Sequence, residues 1–338
     1  DPSTPVYLPF GNDSYSVFAD GTWIPTSALE ITAGLRVLIE KRRSGFFARV
    51  PRTVISRAAS LIPGQVDTAG QTFRTADSFE ALLPRFNLLY RFSDSINGFA
   101  TVSKGRRSPT VQLGARATPT GPQGAFTPVA AENVWNYEVG LKGSSGAVSG
   151  TLGIYYQKYD NFQVSIIGSD GIARTQSAGS ASNFGVEAEV ELRPAPWVQI
   201  FGNIGYIDGG IDKKPNIAPN FRGARFRLQP EVQAAAGFTL DIPIGESARL
   251  FATPSVTHRS RIFFEVPNNP LISQDAVTLV NVKAGVAFAD DRFEIAAFAR
   301  NLTNEDYLLD AGNTGGAFGI PTFIPAEPRL YGVQITGR

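Results

Sequence analysis

Cysteine is absent from the 338 residues, so neither a disulfide framework nor thiolate chemistry is available. That is compatible with passage through an oxidising compartment. Methionine is absent too, even at position 1, and residues preceding Asp1 are therefore expected to have been removed. No run approaches the ~18 apolar residues of a spanning helix, and no signal peptide is present, so any membrane role must use strands. Neither sign of charge dominates: the formal net charge is +1, which argues against a nucleic-acid partner, because phosphate recognition leaves a basic excess or a clustered basic face. No phosphate-binding glycine loop or metal-ligand cluster appears either.

What is present is an ordinary folded composition, 43% hydrophobic and 18% charged, long enough for one large or two ordinary domains. The 34 glycines and 23 prolines fall mostly between apolar runs, as turns do in an antiparallel all-β protein.

Alternation of apolar and polar residues predicts strands over 14–24, 29–41, 83–92, 96–107, 133–142, 148–162, 182–194, 197–207, 230–242, 248–264 and 276–289, followed by a closing pair within 292–338. Phe184, Val186, Ala188, Val190 and Leu192 oppose Gly185, Glu187, Glu189, Glu191 and Arg193 without an error of register. Between residues 42 and about 80 there is a polar stretch with Arg42, Arg43, Arg49, Arg52 and Arg57 and no clean period. About thirteen strands result, joined alternately by short turns and long loops. Soluble sandwiches use shorter strands, whereas membrane barrels need ~9 to 11 residues per crossing and put turns on one side and loops on the other.

The polar faces stay polar along whole strands, as in Glu187, Glu189 and Glu191, or Asn136, Glu138 and Lys142. Such a face is expected to line a wet lumen, because Lys or Arg on the lipid side near the midplane costs about 2–4 kcal/mol. The opposite set includes small residues (Ala234, Ala236, Ala297, Ala299) that lipid tolerates better than a close-packed core does. Aromatics fall near strand ends (Trp23, Tyr90, Phe92, Trp197, Tyr206, Phe288, Phe293), as in an interfacial girdle. In the closing pair, Phe293, Ile295, Val333 and Ile335 are expected to face lipid. A soluble β-sandwich remains the alternative to this reading.

Four motifs occur in order along the chain. Asn136-Tyr137-Glu138-Val139-Gly140-Leu141-Lys142 is similar to the "YE-G-K" strand of TonB-dependent outer-membrane receptors, and Asn183-Phe184-Gly185-Val186-Glu187 to their "GvE" strand. Asn301-Leu302 followed by Tyr307 resembles the "NL…Y" signature before the last loop, and Pro328-Arg329 with Tyr331-Gly332 resembles the start of the final strand. The resemblance covers the last two-thirds well and the first third loosely. It implies an antiparallel transmembrane β-barrel of the 22-strand, plugged type, of which residues 1–338 form a single domain, the C-terminal portion.

The family's plug and TonB-contacting segment are absent from this sequence, as is the usual terminal aromatic residue, since the chain ends at Arg338. Counting back from a final strand that descends to the periplasm places every long loop outside the cell. The last strand should be the seam, and the sheet is expected to be unsealed, a fragment. The resemblance further implies capture of a scarce nutrient such as a ferric siderophore, energised through the TonB complex, at the bacterial outer membrane and among its lipids, with no resident cofactor. A passive porin is the other transport reading.

An enzyme is the remaining class. The sole histidine, His258, shares its face with Val256 near a strand end, which does not suit a catalytic triad. Asp208 and Asp212 fall short of the six to eight oxygens that calcium takes. Candidate ligand contacts are Arg106 and Arg107 at the end of one ascending strand and Arg259, Arg261, Phe263 and Phe264 at the end of another. Arginine with aromatics suits an anionic, ring-bearing chelate, and solvated loop charge is the plainer reading of the same residues.

Overall fold

Side chains alternate across a strand, so a chain that alternates for ten or more residues can bury or wet each face separately. The computed structural model, which describes residues 6–49, 66–167, 173–315 and 320–337, turns this pattern into one antiparallel sheet of fifteen strands. The strands in chain order begin with β1 (Val6–Tyr7), β2 (Phe10–Thr26), β3 (Leu29–Ala48), β4 (Phe73–Ser93) and β5 (Ile96–Arg107). A hairpin of β6 (Thr110–Thr118) and β7 (Gly121–Val129) follows, then β8 (Glu132–Ser145) and β9 (Val148–Asp160). Next are the hairpin β10 (Gln163–Ile167) and β11 (Ala173–Ser177), β12 (Ala181–Ala195), β13 (Val198–Ile211), β14 (Val232–Ile244), β15 (Ala248–Ala252) and β16 (Ser255–Arg259). The chain continues with the hairpin β17 (Ile262–Phe263) and β18 (Ser273–Gln274), then β19 (Val277–Phe288) and β20 (Phe293–Arg300). A last hairpin, β21 (Leu308–Gly315) and β22 (Ile320–Pro325), precedes β23 (Leu330–Gly337).

The wall order is β1-β3-β4-β5-β8-β9-β12-β13-β14-β15-β19-β20-β23. Because β1 and β2 lie end to end along β3, and β15 and β16 lie end to end between β14 and β19, this is thirteen strand positions. Proline cannot donate to a ladder, and the break between β15 and β16 falls at Thr253-Pro254. The expected strand over 248–264 is thus three pieces. β2 and β23 end the pairing order, and among the described residues they are not paired with each other.

Cross-strand register aligns the two faces across the wall. Trp23, Ile31, Leu88, Ala100, Val139, Ile154, Val186, Tyr206 and Val232 are successive partners on neighbouring strands, and all are apolar. On the other face Thr22, Thr32, Asn87, Thr101, Glu138 and Tyr155 form the parallel row. Side chains cross-link it, with Thr22 Oγ1 2.9 Å from Thr32 Oγ1 and Asn87 donating to Thr101 at 2.8 Å. Among the described residues no second layer covers the apolar face: Val17 is 77% exposed and Val333 70%. A soluble sandwich would bury these residues, so the apolar face is built for a non-aqueous surrounding.

The two ends of the wall differ. At one end two-residue turns join β2 to β3 and β8 to β9, and Gly146 takes the positive φ that the second of these needs. All the long connections stand at the other end. The alternation predicts only long loops here, whereas four of them contain hairpins of their own. The polar stretch expected from 42 to about 80 is in fact shorter than that, because β3 runs on to Ala48 and β4 starts at Phe73. Arg52 and Arg57 of that stretch, and the glycines at 316 and 319 of the closing connection, lie outside the described residues.

Candidate functional site

The family-like motifs acquire physical reasons once register is known. Phe99 pairs with Gly140, Tyr155 with Gly185, and Phe298 with Gly332, each ring lying on the polar face over its glycine. A Cβ on Gly140 would stand 2.5 Å from the Phe99 ring, and one on Gly185 2.2 Å from that of Tyr155. Only glycine permits this approach. Lys142 closes the first pair by placing Nζ 5.6 Å above the Phe99 ring, while Tyr137, one residue from Glu138, points to the apolar face with Val139. Glu187 lies on the polar face with Gly185.

Asn301 is buried, with φ of +48°, a conformation asparagine tolerates better than most residues. Its side chain donates to Glu305 O (2.8 Å) and accepts from Glu305 N (2.8 Å), and its own amide donates to Asn281 Oδ1 (3.0 Å). Leu302 N donates to Val280 O. The closing motif is tied to this one, since Arg329 N donates to Asn304 Oδ1 and Ala326 N to Tyr307 O. Pro328 leads into β23, where Tyr331 lies 75% exposed on the apolar side, paired with Ala299.

The ligand candidates separate. Arg106 and Arg107 are neighbours on β5 and project to opposite faces: Arg107 is on the polar face with Glu132, and Arg106 is on the apolar face with Asn133. Arg106 is therefore withdrawn as a lumen contact. Arg107 Nη1 donates to Gln163 O (3.3 Å). Phe264 is 2% exposed, packed with Ile262, Ile272 and Ala311 in a small core between loops, and is likewise withdrawn. Arg261 is ion-paired to Asp275, its Nε 2.7 Å from Oδ1. Arg259 shares the polar face with Gln233, donates to Leu308 O (3.3 Å) and stands 5.7 Å over the Tyr307 ring. Phe263 lies under the Arg225 guanidinium at 6.0 Å. Of the six residues, Arg107 and Arg259 remain on the polar face near its loop end, with β8, β9, β12, β13 and β14 between them.

Sequence reasoning missed what fills that interval. Asn136, Gln157 and Asn183 are register partners. Gln157 Nε2 donates to Asn136 Oδ1 (3.2 Å), while Gln157 Oε1 accepts from Asn183 Nδ2 (3.2 Å) and Tyr159 Oη (2.8 Å). Above this row, Val164, Ala178, Ile217, Phe221, Ala224, Phe226 and Val266, from three connections, form a buried core against Tyr159, Ala181 and Ile211. Phe226 stacks on Phe162 at 4.6 Å. The loops thus form a packed cap on the polar side of the wall. Asp212 secures it, accepting from Ser180 Oγ (2.7 Å), Ser182 Oγ (3.0 Å) and Lys214 Nζ (2.7 Å). Burial pushes the Asp212 carboxyl up, but these hydrogen bonds outweigh it and hold the group below the usual aspartate range. Its oxygens are engaged, and no group of three potential metal ligands occurs among the described residues. His258 lies on the apolar face and hydrogen-bonds Thr278 Oγ1 through Nδ1 at 2.8 Å.

An antiparallel wall with one apolar exposed face, one polar face, turns at one end and a loop cap at the other defines the class of transmembrane β-barrels. The chain belongs to the TonB dependent receptor-like β-barrel family, whose model matches residues 1–302. That match includes the first third, where the sequence resemblance was loose, and stops short of Tyr307. Among solved structures, the chain is similar to the ferric yersiniabactin uptake receptor FyuA from Yersinia pestis, with a TM-score of 0.77 and 18% identity over 98% of this chain and 46% of that one. It is also similar to the ferric-catecholate import receptor Fiu from E. coli K12 (0.70, 16%, covering 97% and 45%) and to the copper transporter OprC (0.67, 13%, covering 96% and 48%). The chain spans about half the length of these structures.

Proposed function

We propose that this chain is wall and outer mouth of a bacterial outer-membrane receptor that captures a ferric siderophore and admits it when the TonB complex acts on a plug outside these residues. On this reading the apolar face meets membrane lipid, the hairpin-bearing end faces the medium, and the unpaired edges of β2 and β23 meet the remainder of a larger barrel. The observation that carries the transport reading is the unbroken apolar row from Trp23 to Val232, opposite the polar row from Thr22 to Tyr155. Polar residues between Arg107 and Arg259, roofed by the cap, support capture of a polar anionic ligand there. Structures of similar fold include both ferric-chelate receptors and a copper transporter, which supports trying a metal-laden cargo first.

The test is uptake of labelled ferric chelate by cells whose only such receptor is the intact protein. Import that stops when the proton gradient is collapsed supports the proposal, and import that persists means passive passage. Arg107→Gln with Arg259→Gln should weaken chelate binding at least about tenfold, the scale of losing two charge-assisted hydrogen bonds. Unchanged affinity would sink the assignment of the site while leaving transport untouched.

A further inference from the structure

Above the Arg85 and Ser103 pair, β4 and β5 cease to be hydrogen-bonded to each other. β4 continues along β3 back to Phe73, and β5 continues along β8 to Arg107. The wall therefore splits, and the split is a cavity of about 490 Å³. Register puts Ser78, Glu80 and Leu82 of one lip, and Lys104, Arg106 and Asn133 of the other, on the apolar side of the wall, away from the lumen.

Lys104 and Arg106 continue the outward series that starts with Ala100 and Val102. They stand where the apolar band gives way to polar surroundings. Lys104 Nζ lies 5.9 Å from the Trp135 ring centre, and its register row runs on through Trp135 to the exposed Lys158. Among the described residues the Nε and Nη1 of Arg106 are shielded from solvent and have no hydrogen-bond partner, although the guanidinium charge is felt by the Glu40 carboxylate on the lumen side. A guanidinium donates five hydrogen bonds and accepts none, so these atoms require an acceptor. Glu80 is the one carboxylate that lines the split with Lys104 and Arg106. Below the split the apolar surface resumes with the exposed side chains of Leu82, Phe86 and Tyr137.

We propose that this split binds the phosphate headgroup of an anionic lipid. Arg106 and Lys104 hold the phosphate, and the acyl chains lie on Leu82, Phe86 and Tyr137. Guanidinium and ammonium groups together at the edge of an apolar band match a phosphate joined to hydrocarbon. A free phosphate would use only the charges.

Native mass spectrometry of the intact receptor in detergent tests this, with phosphatidic acid, phosphatidylcholine of the same chains, and inorganic phosphate as separate titrants. Phosphatidic acid should bind about tenfold or more tighter than phosphatidylcholine, the scale expected of two basic residues near an anionic lipid. Lys104→Gln with Arg106→Gln should abolish the preference, and Arg36→Gln, on the lumen face, should leave it intact. Glu80→Gln should raise it, a gain that misfolding cannot imitate. The proposal is overturned if the double variant keeps the preference, if Glu80→Gln lowers it, or if equimolar inorganic phosphate displaces the lipid.

Discussion

The mid-wall and the cap are stabilised by opposite arrangements of the same residue types. In the mid-wall, large apolar side chains such as Val17, Ile154 and Val333 stand exposed on one face, and polar ones meet across strands on the other. In the cap, Phe221, Phe226 and Ile217 are buried among loops, and the charged groups are outside or paired. The difference teaches that the mid-wall is organised by its two surroundings and the cap by its own interior. Changes in one should therefore fail differently from changes in the other.

The largest expected effect is in the cap. Phe226→Ala removes a buried ring that stacks on Phe162 and meets Tyr159 edge-on, which should cost about 3–5 kcal/mol locally. Hydrogen exchange should speed up in 161–180 and 212–231 while the amides of β8 and β9 keep their protection. If the wall loosens as well, the two regions are one cooperative unit.

On the wall, Ile154→Arg puts a charge in the middle of the apolar row and should cost about 2–4 kcal/mol in lipid. Thr151→Arg, on the lumen face of the same strand, should be tolerated. Reading both from the urea midpoint in vesicles sharpens the contrast, and equal losses would mean that the faces had been assigned the wrong way round. A smaller effect is expected where wall meets loop. Asn301→Ala abolishes both side-chain hydrogen bonds with Glu305, which should cost about 1–3 kcal/mol, visible as a lower thermal midpoint.

The same contrast explains what could be read in the sequence. Alternation located strands such as Ile96–Arg107 to the residue, because each face of the mid-wall meets a different medium. It faded in the upper parts of β3 and β4, where Arg43 pairs with Asp13 on one face and Arg42 with Glu40 on the other. Both faces are polar there, so no period is demanded. The cap was illegible because Phe162, Phe226 and Val266 come from three connections and meet only after folding.

The motif glycines could be recognised by resemblance, but their reason, an aromatic ring across the strand, needs register. Two errors had signals at hand. Adjacent residues on a strand face opposite ways, which already separates Arg106 from Arg107, and Pro254 already interrupts the strand expected over 248–264.

Acid should break the cap before the wall. Asp212 joins the start of the 212–231 connection to Ser180 and Ser182 at the foot of its neighbour. Its carboxyl titrates below its unfolded value, because the hydrogen bonds outweigh the cost of burial. A depressed acid pKa means that this contribution is full above the unfolded aspartate value, about 4, and is lost as pH falls through the folded value. Between pH 8 and 5 the anchor should be unchanged. Below about pH 4 it should weaken, so that exchange in 212–231 accelerates while the wall amides remain protected. In Asp212→Asn the loop should be looser at neutral pH and should lose this acid step. If the step survives in that variant, another carboxylate holds the cap, and the partition between a wall set by its surroundings and a cap set by its own contacts must be redrawn around it.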